Sequence, residues 1–442
     1  MSKESSRRVL RTAARACFDA ALASVDPQRL VGQVLDREGD VLRLETRDGV
    51  LSHRGPLLLV AAGKAALGMT HGSAAVARPD AGIVIVPHGV AGDAPPGTIV
   101  LHAAHPVPDD AGERATARVL DAVRSAGQET LVLLLLSGGA SALLVAPAGD
   151  ITVADTRAVT AALLASGADI VALNAVRKHC SRVKGGGLAR AARGAAGVWT
   201  LLLSDVAGDD PAIIASGPAA ADPTTFADAR HVLERWLEPE AVPTRVRAHL
   251  DAGVAGRVAE TVKPGDPVLD RVATHVLAGN RTAVKAAAAA AHRLGFEAHE
   301  LPEPLRGDAE AAGGRIVATL ESLPRQRPVA IVAGGETTVR VVPGGRGGRS
   351  QHLALAAALA LAGRPGVVLA AGTDGIDGPT EDAGACVDGG TVARGRARNL
   401  DAAAALAATD SNPILAATGD LVRTGPTGTN VADLVVALRP AC

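Results

Sequence analysis

The chain has 442 residues, a formal net charge of −1 and a sequence pI near 6.9, so it has no overall attraction to nucleic acid or anionic membranes. Aromatic residues make up 1% of the chain and tyrosine is absent, which excludes the stacking platforms that bind single-stranded nucleic acid. Charged residues interrupt every apolar stretch long enough to cross a bilayer, so the sequence predicts no transmembrane helix. The length predicts about two or three domains, and the expected partner is a small molecule.

The N-terminal segment and the cysteines favour a cytoplasmic location. The N-terminal arginines resemble a transit peptide, but Glu4 and Asp19 interrupt them and no apolar core with a cleavage site follows. We therefore expect an amphipathic first helix. The cysteines are far apart and include no Cys-x-x-Cys pair, which argues against a zinc site or a disulfide framework. They are Cys17, Cys180, Cys386 and Cys442.

Short apolar runs alternate with alanine-rich stretches of helical length in the first half of the chain. This alternation is typical of β-α-β units. The run at 131–136 has no polar position, as expected for a parallel strand covered by helices on both faces. The predicted strands lie at residues 57–61, 83–86, 131–136 and 198–203.

A segment rich in proline and charge, at residues 234–266, contains no strand-like run, and we place the domain junction there. Beyond it the sequence predicts a second α/β domain, with strands at 275–278, 329–333 and 367–371. The predicted domains are residues 1–250 and 265–442.

An acidic loop at residues 373–380 follows the last of these strands, and ligands of open α/β sheets bind at such strand ends. Its Asp374 and Asp377, with Glu381 and Asp382, concentrate so much negative charge that a compensating cation is expected. A magnesium–phosphate complex would supply one. Taken alone, the loop also fits a surface Asp-Gly turn whose carboxylates are solvated.

A glycine turn follows the strand at 131–136 and opens a helical segment. The free amides of this turn, together with its serine hydroxyls, would hold a carboxylate or phosphate. A plain β-α turn is the alternative interpretation. The residues concerned are Ser137, Gly138, Gly139 and Ser141.

A basic stretch that begins near Asn174 ends in a triple glycine and predicts a site for a polyanion. The alternative is a helix with a solvated basic face and a glycine C-cap. The residues assigned to a phosphate-bearing cofactor here are Lys184, Gly185, Gly186 and Gly187.

The strand at 198–203 leads into an acidic loop, and carboxylates are the ligands that a divalent cation prefers. Basic groups for phosphates and carboxylates for a metal ion are complementary halves of a nucleotide site. The candidate metal ligands are Asp205, Asp209 and Asp210.

Further charged side chains stand at strand ends or helix starts. Lys64 follows the strand at 57–61, where a lysine either snorkels or grips a phosphate or carboxylate. Arg349 lies in a glycine-rich segment that opens a helix, from which an arginine can reach a transferring phosphoryl group. Glycine-rich loops of this kind occur in both predicted domains. The sequence therefore predicts a phosphoryl-transfer site in a cleft between the domains, which would exclude water on closing.

These motifs resemble the class II glycerate 2-kinases, whose C-terminal part is called the MOFRL domain. The resemblance extends over nearly the whole chain. It rests on residues 62–66, 105–108, 137–139, 173–179, 181–187, 204–206, 334–337, 347–349, 372–380 and 427–430. The chain departs from the family's usual residues at Ala207, Ser350 and His352.

The resemblance implies a Rossmann-like, three-layer N-terminal domain and a smaller α/β domain of the MOFRL type. It also implies ATP- and magnesium-dependent phosphorylation of D-glycerate at its 2-hydroxyl, giving 2-phosphoglycerate. By the same resemblance, the positions regarded as catalytic are Lys64, Arg349, Asp374 and Asn430.

Two other functions compete with this hypothesis. An NAD(P)H-dependent hydroxypyruvate reductase, a label that similar proteins have carried, is disfavoured because no Gly-x-Gly-x-x-Gly fingerprint follows any predicted strand. A binding protein for organic acids would not need so many charged strand ends. Walker A and protein-kinase motifs are also absent, so a kinase of this sequence would need a different kind of site.

Overall fold

The computed structural model describes residues 3–47 and 49–441, so Cys442 lies outside the described residues. The helices are α1 (Lys3–Ser24), α2 (Pro27–Val34), α3 (Ala66–Val76), α4 (Asp110–Ser125), α5 (Ala140–Leu143), α6 (Val153–Ala165), α7 (Ile170–His179), α8 (Gly187–Ala191), α9 (Phe226–Trp236), α10 (Thr244–Val254), α11 (Asn280–Arg293), α12 (Ala309–Ser322), α13 (Arg349–Leu361), α14 (Thr391–Arg396), α15 (Ala402–Ala407) and α16 (Ser411–Thr418). The strands are β1 (Leu35–Glu38), β2 (Val41–Thr46), β3 (Gly49–Arg54), β4 (Leu57–Ala62), β5 (Ala81–Pro87), β6 (Thr98–Ala103), β7 (Leu131–Leu136), β8 (Gly197–Leu203), β9 (Val272–Ala278), β10 (Glu297–Glu300), β11 (Val329–Gly335), β12 (Val367–Gly372), β13 (Gly384–Asp388), β14 (Leu421–Val422) and β15 (Asp433–Arg439). No helix within the described ranges is long and apolar enough to cross a membrane.

One compact unit, Pro27–Leu277, is built around a sheet of strand order β6-β5-β4-β7-β8-β9. The pairs from β6 to β8 are parallel. Every residue of β4 and β7 is buried, as expected for strands covered on both faces. The α/β fold class predicted for this half is therefore confirmed. A separate antiparallel sheet, β1-β2-β3, was not predicted.

The other unit consists of Met1–Asp26 and Ala278–Cys442. Its sheet has the order β10-β11-β15-β12-β13-β14, in which only the pair β10-β11 is parallel. Helices α12 and α13 pack against buried side chains of β11, β12 and β15 to form its apolar core. The second α/β domain is thus confirmed as a fold, although most of its strand pairs are antiparallel.

The division between the units differs from the predicted junction at both ends. It falls between Leu277 and Ala278, and α1 belongs with the C-terminal half of the chain rather than with residues 27–277. The physical reason is that α1 packs on α11 and on strands β12 and β15. These contacts join segments hundreds of residues apart, which no local pattern reports.

A buried ionic network fixes α1 in this unit. Arg11 Nη1 donates to Asp388 Oδ2 at 3.0 Å and to Asp420 Oδ1 at 2.7 Å. Arg394 donates to the same two carboxylates. Burial would raise the pKa of Asp388, but the hydrogen bonds and charges of Arg394 and Arg11 hold that pKa below its usual value. The arginines thus stabilise both carboxylates inside the protein, and Arg7 Nε, 3.7 Å from Asp388 Oδ1, adds a third positive charge.

Replacing Arg11 by methionine is expected to lower the free energy of unfolding by about 3 kcal/mol, because it removes one of the two arginines that bridge both buried carboxylates. Urea unfolding should be followed by circular dichroism, since both tryptophans, Trp199 and Trp236, lie in the other unit. Arg8→Met, an exposed position on the same helix, is the matched control. Equal unfolding midpoints for the two variants would contradict the assignment.

Candidate active site

The sheet of the second unit brings three chain segments together at one edge. Asp433, the first residue of β15, pairs with Gly335 at the end of β11 and with Gly372 at the end of β12. Because β15 runs antiparallel to both neighbours, its first residue lies beside their last ones. The loops that follow β11 and β12 therefore flank Asp433.

Arg349 is fixed at this edge by Asp433. It is the first residue of α13, and its Nε donates to Asp433 Oδ2 at 2.6 Å while Nη2 donates to Asp433 Oδ1 at 3.0 Å. Its Nη1 donates to Glu336. Burial would lower the pKa of Arg349, but the hydrogen bond and charge of Asp433 raise it. A bidentate pair of this kind fixes the plane of the guanidinium. The Arg349 side chain is still 34% exposed, so a ligand can reach it.

Asp374 stands next to Asp433. Its Oδ1 accepts a hydrogen bond from the Ile376 amide at 3.1 Å. A Cβ atom on Gly372 would lie 3.0 Å from Asp374 Oδ1 and 3.5 Å from Asp433 Oδ1, so a glycine there lets both carboxylates approach the strand end. Burial raises the pKa of Asp433, and the charges of Glu336 and Asp374 raise it further against the opposing effect of Arg349.

Asn430 is held beside the Asp374 loop through Thr373. Thr373 Oγ1 donates to the Ala432 carbonyl at 2.6 Å and accepts from the Val431 amide at 2.9 Å. Asn430 Oδ1 in turn accepts from the Ala432 amide at 3.3 Å. Within this unit the structure therefore brings together Arg349, Asp374 and Asn430, three of the four residues that the resemblance marked as catalytic.

Two of the four carboxylates in the acidic loop are compensated by the protein itself. Asp377 accepts from the amides of Ser350 at 3.0 Å and Gln351 at 2.8 Å, which caps the start of α13. Asp382 accepts from Arg423 Nε at 2.8 Å and from Asn412 Nδ2 at 2.9 Å. Donors of the chain itself therefore compensate Asp377 and Asp382, and the compensating cation expected at this loop stays a prediction.

Asp377 gives the unit a characteristic pH dependence. Burial raises the pKa of this carboxyl to about 7, and the negative charge of Asp433 adds to the shift. At a pH between the unfolded pKa, near 4, and the folded pKa, near 7, Asp377 is protonated in the native state but ionised in the unfolded state. The free energy of unfolding therefore falls as the pH rises from about 4 to about 7. Asp377→Asn removes the titration. From pH 5 to pH 7 the variant should gain about 2–3 kcal/mol relative to wild type in urea unfolding.

The matched control for this titration is Asp401→Asn, because Asp401 is an exposed cap of α15 that accepts from the Ala403 amide. Its pH profile should run parallel to that of wild type. A parallel profile for Asp377→Asn as well would show that the buried carboxyl does not titrate in this range.

In the other unit Lys64 lies against the glycine turn that follows β7. Its amide donates to the Gly138 carbonyl at 2.9 Å, and the Ala65 amide donates to Ser137 Oγ at 3.0 Å. A Cβ atom on Gly63 would lie 2.2 Å from Ser137 Oγ, so only glycine permits this approach. The predicted residues Lys64, Ser137 and Gly138 therefore form one cluster at the carboxyl ends of β4 and β7.

His105, which lies in one of the segments that carry the family resemblance, joins this cluster. A Cβ atom on Gly139 would lie 3.0 Å from His105 Cδ2 and 3.5 Å from Lys64 Cγ. Gly139 adopts a left-handed backbone, with φ of 87°, just before α5. The signal for His105 was its position after β6, beside the other strand ends.

Ser141 and Lys184 contact each other. Lys184 Nζ donates to the Ser141 carbonyl at 2.6 Å and to the Leu144 carbonyl at 3.2 Å, while Arg177 Nη2 donates to Ser141 Oγ at 2.7 Å. Burial, with the nearby charge of Arg177, lowers the pKa of Lys184 well below its usual value. Lys184 thus holds the chain at α5 in place.

The amides of the triple glycine donate to carbonyls of the chain. The Gly185 amide donates to Ser216 at 3.0 Å, that of Gly186 to Gly217 at 2.7 Å and that of Gly187 to Lys184 at 3.0 Å. A phosphate would therefore have to find other donors near this loop. The assignment of residues 184–187 to a cofactor stays a prediction.

The predicted metal ligands follow β8. Asp209 has a left-handed backbone, with φ of 54°, and Asp210 Oδ1 accepts from the Ala212 amide at 2.8 Å. Among residues 3–47 and 49–441, no group of three or more His, Cys, Asp or Glu side chains is placed to hold a metal ion. The assignment of a metal to Asp205, Asp209 and Asp210 stays a prediction, and an ion there would need ligands from a bound nucleotide.

Two family models match the chain: a domain of unknown function, DUF4147, at residues 13–251 and the MOFRL family at residues 329–433. A glycerate 2-kinase of Pyrococcus horikoshii is 37% identical over 424 residues, covering 95% of this chain and 94% of the relative. A D-glycerate 2-kinase of Thermotoga maritima is 39% identical over 390 residues, covering 86% and 90%. The chain belongs to the class II glycerate kinase family. The resemblance inferred from the motifs is therefore confirmed.

Solved structures agree with this membership. The crystal structure of a glycerate kinase from Thermotoga maritima matches with a TM-score of 0.81 at 35% identity, covering 98% of this chain and 100% of that chain. Another relative, of Agrobacterium vitis, is 43% identical over 445 residues, covering 97% and 94%, and carries the name putative hydroxypyruvate reductase. The glycerate kinase family thus contains members with two different names.

Sequence reasoning missed Asp433, which the structure places at the centre of this edge. A single carboxylate immediately before the apolar run 434–438 was the available signal. Its importance depends on the central position of β15, which only the strand order reveals.

Proposed function

We propose that the protein is an ATP-dependent glycerate 2-kinase that phosphorylates the 2-hydroxyl of D-glycerate, giving 2-phosphoglycerate and ADP. The curated relatives with the names glycerate 2-kinase and D-glycerate 2-kinase support it over nearly the full chain. The observation in the structure that carries the proposal is the guanidinium of Arg349, fixed by Asp433 beside Asp374.

The proposal gives each residue a distinct task. Asp374 orients or deprotonates the substrate hydroxyl, and Asn430 positions the substrate or a phosphate oxygen. Arg349 and Lys64 stabilise negative charge on the transferring phosphoryl group. Phosphoryl transfer proceeds through a loose transition state with charge on its equatorial oxygens, so positioning and electrostatics dominate its catalysis. Asp433 acts through Arg349 as a positioning residue.

Magnesium is part of the same proposal. Asp205, Asp209 and Asp210 offer the oxygen donors that this ion prefers, but no three-ligand group exists among the described residues. The fit is therefore that of an ion which shares its ligands with nucleotide phosphates. When bound, magnesium would neutralise phosphate charge, and its omission should abolish transfer.

We also propose a cytoplasmic location, because the cysteines of the described residues are thiols rather than disulfides, which suits a reducing compartment. Cys17, Cys180 and Cys386 are buried and unpaired. Burial raises the pKa of the Cys180 thiol to about 12, so this cysteine is an unreactive core residue.

The second candidate is hydroxypyruvate reduction by a nicotinamide cofactor, favoured by the name of the Agrobacterium vitis relative. The chain lacks the Gly-x-Gly-x-x-Gly fingerprint of dinucleotide binding. Hydride transfer also does not require a guanidinium such as that of Arg349, which Asp433 holds in place. We therefore place this activity second.

The deciding experiment incubates purified protein with ATP, magnesium and D-glycerate and identifies the product by phosphorus NMR. A 2-phosphoglycerate signal that disappears in chelator supports the kinase and its regiochemistry together. No transfer, with oxidation of NADH or NADPH by hydroxypyruvate, would replace the proposal by the reductase.

A further inference from the structure

A pocket of about 770 Å³ lies wholly within the unit Pro27–Leu277 and is lined by an excess of cations. Glu260 is the single carboxylate in its lining, in a protein whose net charge is −1. The cationic residues that line it are Arg124, Lys178, Arg182, Lys184, Arg190 and Arg193.

The carboxylate of the lining is already engaged by the protein. Glu260 Oε1 accepts from the Phe226 amide at 2.9 Å, and Oε2 lies 3.1 Å from His179 Nε2 and 3.0 Å from Lys263 Nζ. Burial would raise the pKa of Glu260, but these donors lower it. The negative charge of Glu260 is therefore already paired with groups of the protein. Lys178 is likewise neutralised by Asp222 at 3.3 Å.

Several arginines of the lining are not neutralised. No carboxylate of the described residues lies within ion-pair distance of Arg124, Arg182 or Arg193. Arg182 Nε donates to the Pro147 carbonyl at 3.1 Å, and Arg190 Nη1 donates to the Glu260 carbonyl at 2.7 Å. These carbonyl bonds orient the two guanidinium groups, which lowers the entropic cost of binding an anion. Arg190 Nη2 also lies 3.9 Å from Asp266 Oδ2, so Arg190 shares its charge with that carboxylate.

Two of the arginines, Arg124 and Arg193, lie far from the cluster around Lys64. Arg193 precedes β8 and Arg124 lies at the end of the helix that leads to β7, whereas Lys64 follows the carboxyl end of β4. These strands are parallel, and a six-residue strand such as β4 is roughly 20 Å long. Arg124 and Arg193 therefore lie near the amino ends of the parallel strands, at the opposite edge of the sheet from Lys64.

We propose that this pocket is a binding site for a small phosphate-bearing polyanion, held by its arginines and separate from the site of phosphoryl transfer. The lining also includes Lys184, Gly185 and Gly187, which the sequence assigned to a cofactor. The amine of Lys184 and the amides of both glycines already donate to carbonyls of the chain, so the arginines are the donors left for an anion. Guanidinium groups bind phosphate oxygens through paired N–H donors, and the three arginines of the pocket that lack an ion pair among the described residues offer such donors for more than one phosphate group. A volume of about 770 Å³ suits a small molecule. The proposal does not depend on which reaction the protein catalyses.

The probe is inorganic pyrophosphate, titrated into the full chain by calorimetry in metal-free buffer. The test variant carries Arg124→Gln and Arg193→Gln, both at exposed positions whose replacement leaves the fold intact. The matched control carries Arg114→Gln and Arg118→Gln, exposed residues on α4 that do not line the pocket, so both variants lose the same charge.

We expect pyrophosphate to bind wild type and control equally, and the test variant at least tenfold more weakly, while the KM for ATP stays unchanged. Equal affinities in all three proteins, or no binding to wild type at millimolar pyrophosphate, would overturn the proposal. A KM for ATP that rises with the pyrophosphate Kd would identify the pocket as the nucleotide site, which also overturns it. Loss of kinase activity in every protein with pyrophosphate binding retained would refute the proposed reaction alone.

Discussion

Replacing Arg349 by alanine is expected to lower kcat by about a thousand- to a hundred-thousandfold, the range known for arginines that contact a transferring phosphoryl group. The side chain is fixed by two hydrogen bonds to Asp433 and yet stays partly exposed. It therefore needs little reorganisation when charge develops on the phosphoryl oxygens. Steady-state kinetics with ATP and D-glycerate should show the loss in kcat, with a smaller change in KM.

Two further variants separate this effect from general damage. Arg349→Lys keeps the charge but loses the paired donors, so it should recover only part of the activity. Arg398→Ala removes an exposed arginine of the same unit whose Nη1 donates to the Arg394 carbonyl, and it should keep near-normal kcat. Near-normal turnover of Arg349→Ala would remove Arg349 from the catalytic set.

The buried strands could be predicted from sequence because their patterns are local. The run Leu131–Leu136 is apolar at every position and is buried at every position. The same holds for Val367–Gly372, so the loop that carries Asp374 was located correctly at a strand end. Periodicity and glycine placement are sufficient for such elements.

The partners of the site residues could not be predicted, because they depend on strand order. Arg349 and Asp433 are 84 positions apart, and they meet only because β15 lies between β11 and β12. The location of α1 depends in the same way on the contacts of Arg11, 377 positions from Asp388. The partners of the triple glycine could not be predicted either, because its amides donate to carbonyls that only the folded loop brings close.

Asp374→Asn is expected to lower kcat by about a hundred- to ten-thousandfold, the range of general acid–base assistance. The substitution keeps the shape and one acceptor oxygen, so the Ile376 amide retains its partner while the ability to take a proton is lost. The loss should therefore appear in kcat, and the KM for D-glycerate should change little. Arg349→Ala is expected to be at least as severe, since charge stabilisation contributes more than proton removal when the transition state is loose.

Glu381→Gln is the matched control, because Glu381 is an exposed carboxylate of the same acidic loop. Its kcat should stay within a few-fold of wild type, which would assign the effect to Asp374 rather than to the charge of the loop. If Asp374→Asn raised the KM for D-glycerate and kept kcat, Asp374 would bind the substrate without activating its hydroxyl. In that case catalysis would depend on Arg349, because electrostatic stabilisation alone can account for most of the rate of a phosphoryl transfer.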